Sequence, residues 1–167
     1  MVTIFAQTDR IMLNQTSYHG AGAIAEIVNE AKAHGFQKAF VCSDPDLIKF
    51  NVSTKVTALL EEAGLAYEIY SNIKPNPTIE NVQNGVEAFK ACGADCIIAI
   101  GGGSAIDTAK IMWLMYEHPE ENFLDLATVF IDIRKRVYGF PKMGQKAYFV
   151  AIPTTAGTGS EVTPFAV

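Results

Sequence analysis

The 167-residue sequence predicts an α/β protein, a Rossmann-like parallel sheet with helices on both faces. Three observations predict it. Short apolar runs without alternation stand at 39–42 (AFVC), 96–100 (CIIAI) and 148–152 (YFVAI), as strands covered on both faces require. Gly35, Gly64 and Gly93 recur at intervals of 29 residues, each closing a helical pattern just before a strand. Gly101, Gly102 and Gly103 then join one strand directly to a helix.

Residues 4–13 (IFAQTDRIML) are mixed and read as an edge strand or strand pair. Gly20 and Gly22 lead into a helix whose Ile24, Ile27, Val28 and Ala31 share one face and which Gly35 ends. The strand at 39–42 closes on Ser43-Asp44-Pro45. A second helix carries Val52, Val56, Leu59, Leu60 and Ala63 and stops at Gly64. A strand at 67–70 (YEIY) is followed by Lys74-Pro-Asn-Pro-Thr78, where two prolines exclude a central strand or helix interior. Thr78 can cap a third helix with Ile79, Val82, Val86 and Phe89 turned inward, ended by Gly93. Residues 105–116 are apolar almost all round and predict a buried helix. Residues 124–133 read as another helix running into Arg134-Lys135-Arg136, a solvated basic face in the simpler reading and an interface or phosphate contact in the other, and 138–146 as a loop before the last strand.

The central stretch is 96–110, CIIAIGGGSAIDTAK. A strand turning through glycines into a helix start makes an anion site, because free N–H groups point outward and glycine lets a phosphate approach closely. Ser104 and Asp107 have the Ser-x-x-Asp spacing of a capping box at the start of that helix. The simpler reading is a tight turn without a ligand. The stretch departs from the dinucleotide fingerprint at Ile106 and lacks the Gly-Lys-Ser/Thr of a P-loop. A second loop, Pro153-Thr-Thr-Ala-Gly-Thr-Gly-Ser160, also follows a buried strand. It is dense in hydroxyls and glycine, suited to phosphate or ribose oxygens or to an ordinary turn cluster.

The totals bound the function. The chain suits one domain spanning 1–167, with a real core. A net charge of −5 argues against a nucleic-acid or acidic-membrane surface. No apolar run approaches the ~18 residues of a membrane span. The N-terminus lacks the basic-then-apolar order of a signal peptide, so a cytoplasmic location is expected. Cys42, Cys92 and Cys96 cannot all pair and are expected reduced and buried. The apolar run 160–167, without cap or polar tail, has the look of a cut through a larger protein.

Asp44 closes a buried strand, where a carboxylate can accept both hydroxyls of an adenosine ribose and repel a 2′-phosphate. It equally suits a turn before Pro45, and it lies 57 residues before Gly101 rather than ~20 after the glycines. His34 and His118 fall near helix ends, where a cation complements the dipole. No metal-ligand spacing, nucleophile elbow or supported Cys/His pairing occurs. From the residues alone the chain binds a phosphorylated ligand and is assigned no catalytic or metal-binding residue.

GGGSAIDTAK together with AIPTTAGTGSEVTPFAV resembles the iron-dependent (group III) alcohol dehydrogenase family, over the whole chain. Up to about residue 107, RIMLNQTSYHGAGAI, GFQKAFVCSD and KPNPTIENV are similar to the lactaldehyde reductase (1,2-propanediol oxidoreductase) branch. From about 108, KIMWLMYEHPEENF and GTGSEVTPFAV are similar to the bifunctional aldehyde-alcohol dehydrogenase branch. The resemblance implies the N-terminal half of a dehydroquinate synthase-like fold, binding NAD. Asp44 would take the adenosine ribose and Asn76 would line the groove. Gly102, Gly103 and Ser104 would hold the diphosphate, with Gly101 beside them in the cofactor site, and Thr154, Thr155 and Thr158 would reach the phosphate and nicotinamide side. Phe165 and Val167 match positions near the substrate pocket; the lactaldehyde reductase branch carries asparagine at the former. The Fe²⁺ (or Zn²⁺) ligands, one Asp and three His, would lie on a helical domain absent from this chain. The implied partners are a small alcohol or aldehyde and a second copy in a homodimer, with no nucleic acid and no membrane. This fragment alone is expected to be inactive. Two other readings remain: a truncated or chimeric nucleotide-binding or oligomerisation module without chemistry, and a phosphosugar-binding domain.

Overall fold

The computed structural model describes residues 16–122, 141–163 and 166. The expected elements at 4–13 and 124–133, the basic run 134–136, the first residues of the 138–146 loop, Phe165 and Val167 lie outside the described residues.

After a 3₁₀ turn at Ala23–Ala25, the elements are α1 (Glu26–His34), β1 (Lys38–Ser43), α2 (Pro45–Lys49), α3 (Thr54–Glu62), β2 (Ala66–Tyr70), α4 (Ile79–Cys92), β3 (Cys96–Gly101), α5 (Gly103–Glu117) and β4 (Tyr148–Pro153). The strands form one parallel sheet in the order β2-β1-β3-β4. Gly35 and Gly93 end α1 and α4 in left-handed backbone (φ 71 and 64), the conformation that lets a chain leave a helix abruptly and that glycine adopts without strain.

Alternation along each central strand sends side chains to two cores. On one face Phe40, Cys42, Ile97 and Ala99 meet Val82, Val86 and Phe89 of α4 and Ile106, Ala109 and Met112 of α5. On the other, Ala39, Val41, Cys96, Ile98 and Ile100 meet Ile27 of α1 and Val56 and Leu60 of α3. Full burial of side chains such as Phe40, Phe89, Leu60 and Ile97 stabilises by about 1.5–3 kcal/mol each. Helices α4 and α5 approach closely because residue 85 is glycine: a Cβ there would lie 2.6 Å from Met112 Sδ.

Three local expectations are corrected. The helix after β1 is two helices: α2 starts at Pro45, and Val52 lies in the turn before α3. The signal was Asp44-Pro45, an N-cap followed by proline at the first helical position. Ile79, the first residue of α4 after the Thr78 N-cap, is exposed rather than turned inward. Ser104 and Asp107 form no capping box: α5 begins one residue earlier, at Gly103, with Gly102 as its N-cap and no side chain capping it. Asp107 instead turns inward to Lys110, at 3.0 Å.

Candidate functional site

In a parallel sheet every strand delivers its following loop to the same edge. The carboxyl ends of β2, β1, β3 and β4 therefore carry, in spatial order, the 71–78 loop, Asp44, the 101–104 turn and the 154–160 loop. All nine sequence-predicted site residues lie on this edge. From β1 the chain moves to β2 on one side; from β3 it moves to β4 on the other. The helices that follow the two central strands, α3 after β1 and α5 after β3, pack on opposite faces of the sheet, so the strand order reverses direction between β1 and β3, the place where open α/β sheets bind ligands in a crevice.

Asp44 stands on the β1 side of that crevice. One carboxylate oxygen accepts the Leu47 N–H at 2.9 Å and caps α2. The other faces the turn beyond β3: a Cβ built on Gly101 would lie 3.7 Å from Oδ2. The turn-former and ligand readings of Asp44 are thus compatible, since they use different oxygens.

The three glycines differ in role. A Cβ on Gly101 would come within 2.5 Å of the Ala105 Cβ, so this glycine lets α5 fold back against the end of β3. Gly102 faces Thr155, whose Oγ1 would be 3.3 Å from an added Cβ. Gly103 faces Ser160 and Thr158: an added Cβ there would lie 3.4 Å from Ser160 Oγ and 3.5 Å from Thr158 Cγ2. The two Gly/hydroxyl loops, 101–104 and 154–160, far apart in sequence, therefore meet face to face. The Ile106 N–H bonds the Gly102 carbonyl at 3.2 Å and begins the helical ladder, so Gly103, Ser104 and Ala105 hold N–H groups ahead of it without a side-chain cap. Ser104 is half-buried, and its carbonyl accepts the Thr108 hydroxyl at 2.6 Å.

The 154–160 loop is pinned at its start, where the Thr154 N–H donates to the Gly101 carbonyl at 2.9 Å. Pro153 through Thr158 are exposed, Ser160 is buried, and Gly157 and Gly159 adopt positive φ (104 and 64). Asn76 shares the edge on the exposed loop leaving β2, in left-handed backbone (φ 52). An uncapped helix start, a cradle at Gly102 and Gly103 that a Cβ would fill, a hydroxyl loop opposite and a carboxylate across the crevice fit a diphosphate flanked by a diol.

Burial pushes the Cys96 thiol up to about 12 and raises Cys42 and Cys92 as well, so none is a ready nucleophile. All three are free and buried. Among the described residues no group of three or more His, Cys, Asp or Glu could hold a metal ion. No helix among them is long and apolar enough to cross a membrane.

Sequence reasoning missed three residues that shape this edge and its supports. Lys110 lies in an apolar helix, paired with Asp107; an acid and a base three apart in such a helix are the legible signal. Ser160 was seen only as part of a loop. Glu117 is an acid in the last turn of α5, against the helix dipole, which signals that something else holds it. It accepts N–H bonds from Gln145, Lys146 and Ala147 at 3.0–3.1 Å, while Lys146 Nζ caps the Glu117 carbonyl at 2.6 Å.

The family model of iron-containing alcohol dehydrogenases matches residues 14–167. The bifunctional aldehyde-alcohol dehydrogenase AdhE of Escherichia coli K12 is 44% identical over 155 residues, covering 93% of this chain and 17% of that protein. The lactaldehyde reductase of the same organism is 41% identical over 155 residues, covering 93% and 38%. The chain thus spans well under half the length of either relative. Among solved structures, a 1,3-propanediol oxidoreductase superposes with a TM-score of 0.81 at 26% identity, over 96% of this chain and 39% of that one. An NADH-dependent butanol dehydrogenase A of Thermotoga maritima superposes with 0.70 at 26% identity, over 92% and 36%.

Proposed function

Because this chain belongs to the iron-containing alcohol dehydrogenase family, we propose that it is that family's NAD-binding portion, a dinucleotide-binding domain spanning 1–167. In the complete enzyme it serves hydride transfer between NAD(H) and a small alcohol or aldehyde. The observation that carries the reading is the meeting of Asp44, the uncapped start of α5 and the 154–160 loop at one crevice. A structural neighbour described as NADH-dependent supports the choice of cofactor. Relatives named for lactaldehyde and for aldehyde-alcohol chemistry support a small alcohol or aldehyde such as lactaldehyde/1,2-propanediol or ethanol/acetaldehyde.

Each residue has a stated task. The N–H groups of Gly103, Ser104 and Ala105 offer hydrogen bonds and the positive helix end to the diphosphate. Thr155 and Thr158 offer hydroxyls from the opposite loop. Asp44, with one oxygen committed to α2, offers the other to the ribose hydroxyls and repels a 2′-phosphate. Gly101 sets the packing of β3 on α5 at the rim of the crevice, beside Asp44. Asn76 lines the outer groove from the β2 loop. When bound, the nicotinamide supplies the hydride carrier. The family's name implies iron, but among the described residues no group of three or more His, Cys, Asp or Glu could hold it.

Calorimetric titration of the 167-residue chain with NADH, NADPH and a sugar phosphate tests the reading. NADH is expected to bind more tightly than NADPH, and a sugar phosphate weakly. Equal binding of NADH and NADPH removes the role of Asp44; preference for the sugar phosphate removes the dinucleotide reading.

A further inference from the structure

Resting on the cofactor reading above, we propose that Lys110 is a positioning residue for the dinucleotide, a strut that holds the 154–163 segment against the start of α5. The segment has little rigidity of its own. Pro153 through Thr158 are exposed, and Gly157 and Gly159 stand in backbone that most residues avoid. It is fastened at both ends. At the start, the Thr154 N–H bonds the Gly101 carbonyl. At the end, Lys110 Nζ, two turns into α5, donates to the Thr163 carbonyl at 3.2 Å.

The ammonium is itself fixed. Asp107, one turn nearer the helix start and buried, holds it at 3.0 Å, and the Lys110 side chain is only 15% exposed. Between the two fastenings the chain turns back on itself through a Val162 N–H to Gly159 carbonyl bond at 3.0 Å. That turn seats buried Ser160, and Thr158 beside it, on Gly103. The line Asp107–Lys110–Thr163–Ser160–Gly103 therefore starts and ends on α5. It sets the distance between the helix start and the hydroxyl loop, the gap a diphosphate would fill. A loop ordered in advance lowers the entropic cost of binding.

The test measures hydrogen exchange in the 154–163 segment and the Kd for NADH, ADP-ribose and AMP in wild type, Lys110→Met, Lys110→Arg and the paired Asp107→Asn/Lys110→Met. The pair removes the buried charge left by the single change. The strut predicts roughly tenfold faster exchange in the segment and roughly tenfold weaker NADH and ADP-ribose binding in both methionine variants. AMP, placed mainly by Asp44, is expected to change by less than about twofold, and arginine to restore most of the loss. A general loss of folding would weaken all three ligands alike and would not be rescued by arginine; that pattern overturns the proposal. So does unchanged exchange, or NADH binding equal in wild type and Lys110→Met. Absence of NADH binding by the wild type overturns the cofactor reading first, and the positioning role with it.

Discussion

Asp44 and Gly101 stand side by side at the carboxyl edge of the sheet, with Asp44 Oδ2 3.7 Å from where a Gly101 Cβ would lie. Strand register explains it: Ser43 pairs with Ile100, so the next residue of each strand shares the rim of the crevice. The carboxylate divides its oxygens between Leu47 and the turn.

Two substitutions separate those uses. Asp44→Asn keeps an N-cap and removes the charge, so thermal stability should stay nearly unchanged while the preference for NADH over NADPH falls roughly tenfold or more. Asp44→Ala should lose the same discrimination and also about 1 kcal/mol of stability with the cap. Calorimetry with both nucleotides and denaturant melts check the pair; unchanged discrimination in Asp44→Asn argues against a ribose contact.

The glycine turn should split in the same way. Gly101→Ala brings two Cβ atoms to 2.5 Å and should cost about 1–3 kcal/mol, because β3 and α5 must separate. Gly103→Ala, meeting Ser160 Oγ at 3.4 Å, should cost less stability and more NADH affinity. Urea unfolding beside titration distinguishes them.

Glu117 clamps the 145–147 backbone to the end of α5. Burial pushes its carboxyl up, but the N–H groups of Ala147, Gln145 and Lys146 pull it further down, below the ordinary 4.5. A carboxyl that titrates lower when folded stabilises fully above its unfolded value and loses that contribution as pH falls through the folded one. Glu117→Gln should therefore cost about 1–3 kcal/mol at pH 7, and the gap from wild type should close as pH drops below 4.5. Melting curves from pH 7 to 3 follow it.

His118 joins the same end of α5 to the 141–147 segment. Its ring nitrogens lie 2.9 Å from Glu120 Oε1 and 3.1 Å from the Lys142 carbonyl, two acceptors that only an imidazolium satisfies together. The Glu120 bond, then the Lys142 carbonyl, raise its pKa above 6.5. The contribution is full below the unfolded value and lost as pH rises through the folded one. His118→Ala should lower the melting temperature at pH 6 and change it little at pH 9.

The sequence by itself determined the units. Unalternating runs such as 96–100 must be covered on both faces, and glycines such as Gly35 and Gly93 must end helices, because burial and backbone sterics act within a few residues. Local rules also misled locally: Ser104 and Asp107 have capping-box spacing, yet the helix starts at Gly103 and Asp107 turns to Lys110. Only the tertiary structure decided which units are neighbours. The order β2-β1-β3-β4 sets Asp44 beside Gly101 and closes the 154–160 loop on Gly103. Strand neighbours are chosen by how whole faces pack, and separation along the chain carries no record of that choice.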